Sequence, residues 1–425
     1  MRIPITAMDD NPESNGQITP VHSPSSRQDS LPPLLPTPGP STCIATEGDY
    51  SLFQYFVSIY FTKQLLPKAS SRFQDVTLHV GRLALHDSPM LQIAAACAAL
   101  HIHQTTGAPE LHKMALSYYG KSMSHLSKEL AQGKSLSKDK MDSLGFTMSL
   151  LYIFAASSDD CYQDVSYHVA GAQRYIRRRY LDDPQRRREP MRLADQTLLE
   201  SVLYQTFDLA VKGHTPPGPC ADVDFFTATT ELLMSGQDTP ESPSCAERSP
   251  VLGLPLNLYH LAFRIAQLRD ESAKQQNPDA LRQKAESLLS EMERWEPYTA
   301  DIAVHSGGNE QLGGDIYNQI TLLYIFAASV LLRQVIATTL DDALERNLHE
   351  VTEAHLLQAA QLVSSMDKAD PSANCYLGTW ALQVLSKACR DNGTRTIFKN
   401  ELLRRHSVMK SGDIRRAISL IDVQC

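Results

Sequence analysis

The chain has 425 residues, enough for two or three domains or one large helical array, and 42% of them are hydrophobic, enough to bury a sizeable core. Its net charge of −8 excludes a polyanion-binding surface spread over the whole molecule and leaves only local basic patches. No two of the eight cysteines stand closer than fourteen positions, which excludes C-x-x-C and zinc spacings.

The opening MRIPITAMDDNPES lacks the apolar run of a secretory signal, so a reducing intracellular compartment is expected. Residues 1–48 hold nine of the 24 prolines among scattered Ser and Thr, with almost no hydrophobic periodicity. Such a segment cannot bury enough apolar surface to offset its ordering entropy, and a disordered tail is predicted there. Thr19, Ser23 and Thr37 each precede a proline and are candidate sites of proline-directed phosphorylation, although such dipeptides occur in any Pro/Ser-rich tail.

From residue 49 to 425 the pattern predicts an all-α domain, a multi-helix array of about a dozen or more helices. Leu52, Phe53, Phe56, Val57, Tyr60, Phe61 and Leu65 recur at the three-and-four spacing of a buried helix face. Pro89 opens a nearly all-apolar helix that ends at Gly107, the expected punctuation at either end. Pro109 starts another, with Leu111, Met114, Tyr118, Tyr119 and Leu126 on one side. Helices follow near 139–157, 161–180, 190–212, 252–273, 278–295, 311–340, 350–366, 374–391, 394–406 and 411–423. Residues 213–255 carry seven more prolines and read as a long surface loop with a short helix at 222–234. Asn318, Gln319, Arg333 and Gln334 interrupt the most apolar stretch, 316–340, so no membrane span is expected.

The octapeptide LLYIFAAS occurs twice, at 150–157 and 322–329. The surrounding sequences differ, so a duplicated domain is not supported and two core helices built alike are expected. The first copy is followed by SSDDCYQD, in which Asp159, Asp160 and Asp164 form DDxxxD. Class I terpene synthases gather such carboxylates around magnesium to ionise a diphosphate. A magnesium-dependent terpenoid enzyme is therefore the alternative reading, although the second metal motif those enzymes need is missing: Asp341, Asp342, Glu345 and Glu350 lack the serine. The bland reading is a solvated acidic linker.

Other catalytic templates fail. Gly133-Lys134-Ser135 has Lys128 where a phosphate loop needs glycine, Gly307-Gly308 and Gly313-Gly314 lack G-x-G-x-x-G order, and no G-x-S-x-G exists. His101 and His103 stand two apart and cannot share a metal from one helix. No catalytic residue, metal or cofactor is assigned. The segment RRRYLDDPQRRR places Arg177, Arg178 and Arg179 before an acidic turn and Arg186, Arg187 and Arg188 after it. It reads as a solvated helix end, as a nuclear-import signal or as a small anion patch.

The runs DSPMLQIAAACAALHIHQ, HKMALSYYGKSMSHLSKEL and DSLGFTMSLLYIFAASSDDCYQDVSYHVAGAQRYIRRR come in an order that resembles the fungal-specific transcription factor domain family. His168, Gly171 and Ala172 match its histidine-x-x-glycine-alanine helix, where the two small residues are expected to permit a close crossing. The helix around Trp380 resembles the family's tryptophan-centred helix, with Ala381 and Ser386 departing from its usual residues. The resemblance implies a nuclear transcriptional regulator of metabolic or secondary-metabolite genes. It would act through other regulators, a homodimer partner or a small effector.

Such regulators usually begin with a six-cysteine cluster that holds two zinc ions and presents a helix to the DNA major groove. Here only Cys43 lies before position 97, so no recognisable element reads DNA bases, and contact with DNA is expected only indirectly or weakly. A regulator working through partners, an incomplete gene model and a derived domain with another role all stay open.

Overall fold

A computed structural model describes residues 43–65, 73–131, 136–182, 190–211, 222–235, 249, 251–273, 278–295, 316–339, 342–366, 368 and 376–423. All of them belong to one compact unit, Leu35–Cys425. Thr19, Ser23, Thr37 and Arg186–Arg188 lie outside the described residues, as do the glycine motifs at 133–135 and 307–314.

The chain enters the fold at Cys43, whose N–H donates to the Leu85 carbonyl at 2.7 Å. Helix α1 (Glu47–Tyr55) begins inside the stretch assigned to the tail, because Thr46 and Asp49 form a reciprocal capping box. Thr46 Oγ1 accepts from the Asp49 N–H at 3.1 Å, and Asp49 accepts from the Thr46 N–H at 2.9 Å. A π-helical stretch, Phe56–Leu65, continues it and buries Phe56, Val57, Tyr60 and Phe61. Helix α2 (Phe73–His86) is a finding of the structure alone. Its buried Val76, Val80, Leu83 and Ala84 recur at helical spacing, but polar Thr77 and Arg82 and a mid-helix Gly81 break up the apolar signal.

Helix α3 (Ser88–Thr106) starts as its sequence predicts. Asp87 accepts from the Met90 N–H at 3.3 Å, Pro89 sits in the first turn, and Gly107 closes the helix at φ 74°. Around α3 pack α1, α2, α4 (Pro109–Ala131) and α5 (Lys138–Ser157). A turn at Tyr162–Asp164 leads to α6 (Val165–Ile176), which passes into a π turn, Arg177–Leu181. Helices α7 (Leu193–Val211) and α8 (Val223–Ser235) follow. Residues 251–255, assigned to the Pro-rich loop, are buried. Fully buried Glu200 on α7 accepts from Ser249 Oγ at 2.6 Å and from the Val251 N–H at 2.9 Å, tying that segment to the core.

The second half packs around α11 (Ile316–Thr339), against α9 (Leu256–Ala273), α10 (Pro278–Glu293), α12 (Asp342–Ser365) and α13 (Thr379–Ala388). Helix α11 is long and apolar enough to cross a membrane, but 78% of its apolar window is buried within the protein, so it serves as a core helix. Helix α14 (Asn392–Met409) leads to α15 (Gly412–Val423), which returns to α5 and α13 and joins the two halves. Among the described residues there are fifteen α-helices and no strand. The two LLYIFAAS copies end α5 and occupy the middle of α11.

One expectation needs correction. Gly171 does not mediate a close crossing, since a Cβ added there would meet nothing within 4 Å. A tight approach is found at Gly145 on α5, where an added Cβ would run into Leu198 of α7 and lie 3.2 Å from Tyr175.

Candidate functional site

A cavity of about 140 Å³ lies where α5, α7, α13 and α15 meet. Each helix offers one face to it. Ser149, Tyr152 and Ala156 are spaced three and four apart on α5; Ser201, Gln205 and Asp208 are spaced likewise on α7. Trp380 and Gln383 come from α13, and Asp413 and Ala417 from α15. The π-helical stretch adds Tyr60 and Phe61.

The polar groups of this wall are mostly engaged. The Tyr152 hydroxyl donates to Asp208 Oδ2, and Asp413 accepts from Arg416 at 2.8 Å. Burial, then the Asp208 and Asp413 carboxylates, push the Tyr152 phenol well above its ordinary range, so it stays protonated. Phe207 and Tyr324 flank the Trp380 ring, with centroids 5.1 and 5.2 Å away. Four buried atoms of lining residues have no hydrogen-bond partner: Ser149 Oγ, Gln205 Oε1, Thr379 Oγ1 and Trp380 Nε1. Gln205 Nε2 donates to the Ser149 carbonyl at 3.3 Å, which fixes the amide and leaves Oε1 as its vacant acceptor. Among the described lining residues there is no Lys, Arg or His.

The aspartates after the first LLYIFAAS lie elsewhere. Asp159 pairs with Arg415 and with Arg416 (3.2 Å), Asp160 with His112 (2.9 Å), and Asp164 accepts from the Tyr119 hydroxyl at 3.0 Å. The three carboxylates share no partner, and Asp159 is 62% exposed. Among the described residues no group of three or more His, Cys, Asp or Glu could hold a metal ion. Asp159 thus fastens the end of α5 to α15, Asp160 and Asp164 hold the following turn to α4, and the geometry of a magnesium–diphosphate site is not built there.

His168 Nε2 lies 2.6 Å from the Tyr119 hydroxyl. Ala172 is buried beside it on α6. The first arginine triplet is not a uniformly solvated patch. Arg177 donates to Asp222 at 2.6 Å and Arg178 is exposed, whereas Arg179 is buried. Arg179 donates to Asp142 at 2.5 Å and to Asp195 at 3.2 Å. Burial raises the Asp142 carboxyl, but hydrogen bonds from His79, Arg192 and Arg179 outweigh it and hold the group well below the usual carboxylate range. Arg179 therefore stands as counter-ion to a buried carboxylate, out of reach of an import receptor. His101 and His103 face apart: Nδ1 of His101 lies 2.7 Å from the Tyr55 hydroxyl, and His103 stacks on His112 with centroids 4.9 Å apart.

Sequence reading missed the cavity. Its trace was present in α7, where Thr197, Glu200, Gln205, Thr206 and Asp208 punctuate an otherwise apolar helix and all are buried. Buried polar positions on a core helix mark either a hydrogen-bond network or a lined space, and only the packing tells which.

The sequence model of the fungal specific transcription factor domain matches residues 51–422, and the chain belongs to that family. No curated protein and no solved structure matches it. Membership makes the chain a transcriptional regulator, and the family as a class is not one of enzymes.

Proposed function

We propose that this chain is a nuclear regulator of fungal metabolic or secondary-metabolite genes, acting through another regulator, a second copy of itself or a small effector. The match of the fungal transcription factor domain over residues 51–422 carries this reading. Residues 49–425 would form the regulatory domain, and the tail before them, with Thr19, Ser23 and Thr37, would be open to phosphorylation. Exposed Arg178, half-buried Arg177 and the triplet Arg186–Arg188 would supply nuclear import. Contact with DNA would be indirect or weak, since net charge −8 gives the phosphate backbone little to attract.

The test is localisation of the tagged full chain together with transcript profiling of a strain lacking the gene. Nuclear protein and a confined set of changed transcripts are expected. Cytoplasmic protein with unchanged transcripts would overturn the proposal.

A further inference from the structure

We infer that the cavity between α5, α7, α13 and α15 is an effector site for a small primary amine, bound as its ammonium ion with a ring-sized apolar body, an inference that rests on the regulatory reading above. Size sets the body. At about 140 Å³ the space is close to the roughly 150 Å³ of a protein cavity that accepts one benzene ring. Val80, Phe146, Ile153 and Ile414 are among the side chains that line it, and they suit an apolar occupant.

Charge sets the head group. Two carboxylates, Asp208 and Asp413, line the cavity, and the described lining residues include no Lys, Arg or His. Asp413 is shared with Arg416, which lines the neighbouring pocket and not this one. Asp208 is 9% exposed and accepts from the Tyr152 phenol, a neutral group. The lining phenols register the resulting field. Burial, then Asp208, the Tyr324 and Tyr376 phenols and Asp413, push Tyr204 well above its ordinary range; at Tyr152 burial and the same two carboxylates do so. A cation that enters this field regains by attraction part of the hydration it loses. An anion would lose its hydration and meet like charge.

Reachable polar atoms set the hydrogen bonds. The Tyr204 hydroxyl and the Gln383 amide make no hydrogen bond, and neither is among the unpartnered atoms sealed from solvent, so both are open to an occupant. Tyr204 and Asp208 stand four apart on α7 and share a face, while Gln383, itself 6% exposed, lines the space from α13. An ammonium carries three donors and no acceptor. The wall offers it acceptors in the Asp208 carboxylate, the Tyr204 oxygen and the Gln383 carbonyl. Tyr60, Tyr376 and Trp380 add rings of the kind whose faces attract a cation.

The test uses the purified full chain at about 0.15 M salt, which screens exposed charges, with three probes of one shape: benzylamine, benzyl alcohol and benzoate. Thermal unfolding and titration calorimetry are read for each. Benzylamine is expected to bind one to one, to raise the melting temperature most and to bind about tenfold tighter than benzyl alcohol, the scale of one hydrogen bond to a charged group. Asp208→Asn keeps the shape and removes the charge; it should weaken benzylamine about tenfold and leave benzyl alcohol unchanged. Gln383→Leu should weaken benzylamine about fivefold. A cooperative thermal transition shows that a variant is folded; if Asp208→Asn lacks one, Gln383→Leu is read in its place.

Benzyl alcohol binding as tightly as benzylamine would refute the charge, and tighter binding of benzoate would refute its sign. Unchanged benzylamine affinity in a folded variant would refute the place assigned to the ammonium. No shift with any probe would refute the site itself. None of these results bears on the transcript profile, so the ligand class can fail while the regulatory function stands.

Discussion

Acidification from about pH 7 to about pH 5 should destabilise the domain through His168, in a direction that its surroundings fix. Burial pushes the His168 imidazole down from 6.5 to about 4, against the opposing attraction of Asp164. The Tyr119 hydroxyl has one proton and lies within reach of both partners, 2.6 Å from His168 Nε2 and 3.0 Å from Asp164 Oδ2. It donates to the carboxylate, so neutral His168 donates its Nε2–H to the phenol oxygen.

The folded value lies below the unfolded one, so the unfolded chain takes up the proton first. Stability from this group is intact above 6.5, falls as pH drops through the window from 6.5 to about 4, and levels off beneath it. At about 1.4 kcal/mol per unit the full loss is about 3 kcal/mol, of which about 2 kcal/mol is gone by pH 5. Urea unfolding of the wild type and His168→Gln at both pH values measures it. Burial also lowers His101, His260 and His355, which add the same slope to both proteins, so the readout is the difference between them. The wild type should lose about 2 kcal/mol more than the variant on acidification. Equal losses would refute the reasoning.

Two further substitutions test the packing. Gly145→Ala forces a Cβ against Leu198 and should cost about 1–3 kcal/mol, whereas Gly171→Ala, with open space around it, should be neutral or gain up to about 1 kcal/mol; melting temperatures of the pair decide. Glu200→Leu strands Ser249 Oγ and the Val251 N–H without their acceptor and should lower stability by about 3 kcal/mol or more, read as a fall in the urea midpoint.

The helices were legible because their signals are local. Pro89 and Gly107 bound α3 as their chemistry requires, and the apolar stretch at 316–340 becomes the core helix Ile316–Thr339. Helix α2 escaped because its own polar interruptions mask a face that neighbouring helices cover. The two LLYIFAAS copies show where local signals end. In α5 the tyrosine, Tyr152, faces the cavity and donates to Asp208; in α11 its counterpart, Tyr324, packs against Trp380. One octapeptide has two roles, because the partner of each face comes from a different part of the chain.

The sequence by itself determined the class of fold, the order of nearly all its helices and the family resemblance, since periodicity and capping act over a few residues. Tertiary structure decided which charges and polar atoms meet. It joined Asp159 to Arg415 across 256 positions, buried Arg179 against Asp142, and drew one cavity from residues between Tyr60 and Ala417. Such pairings depend on how helices cross, and crossing is settled by the packing of all of them together.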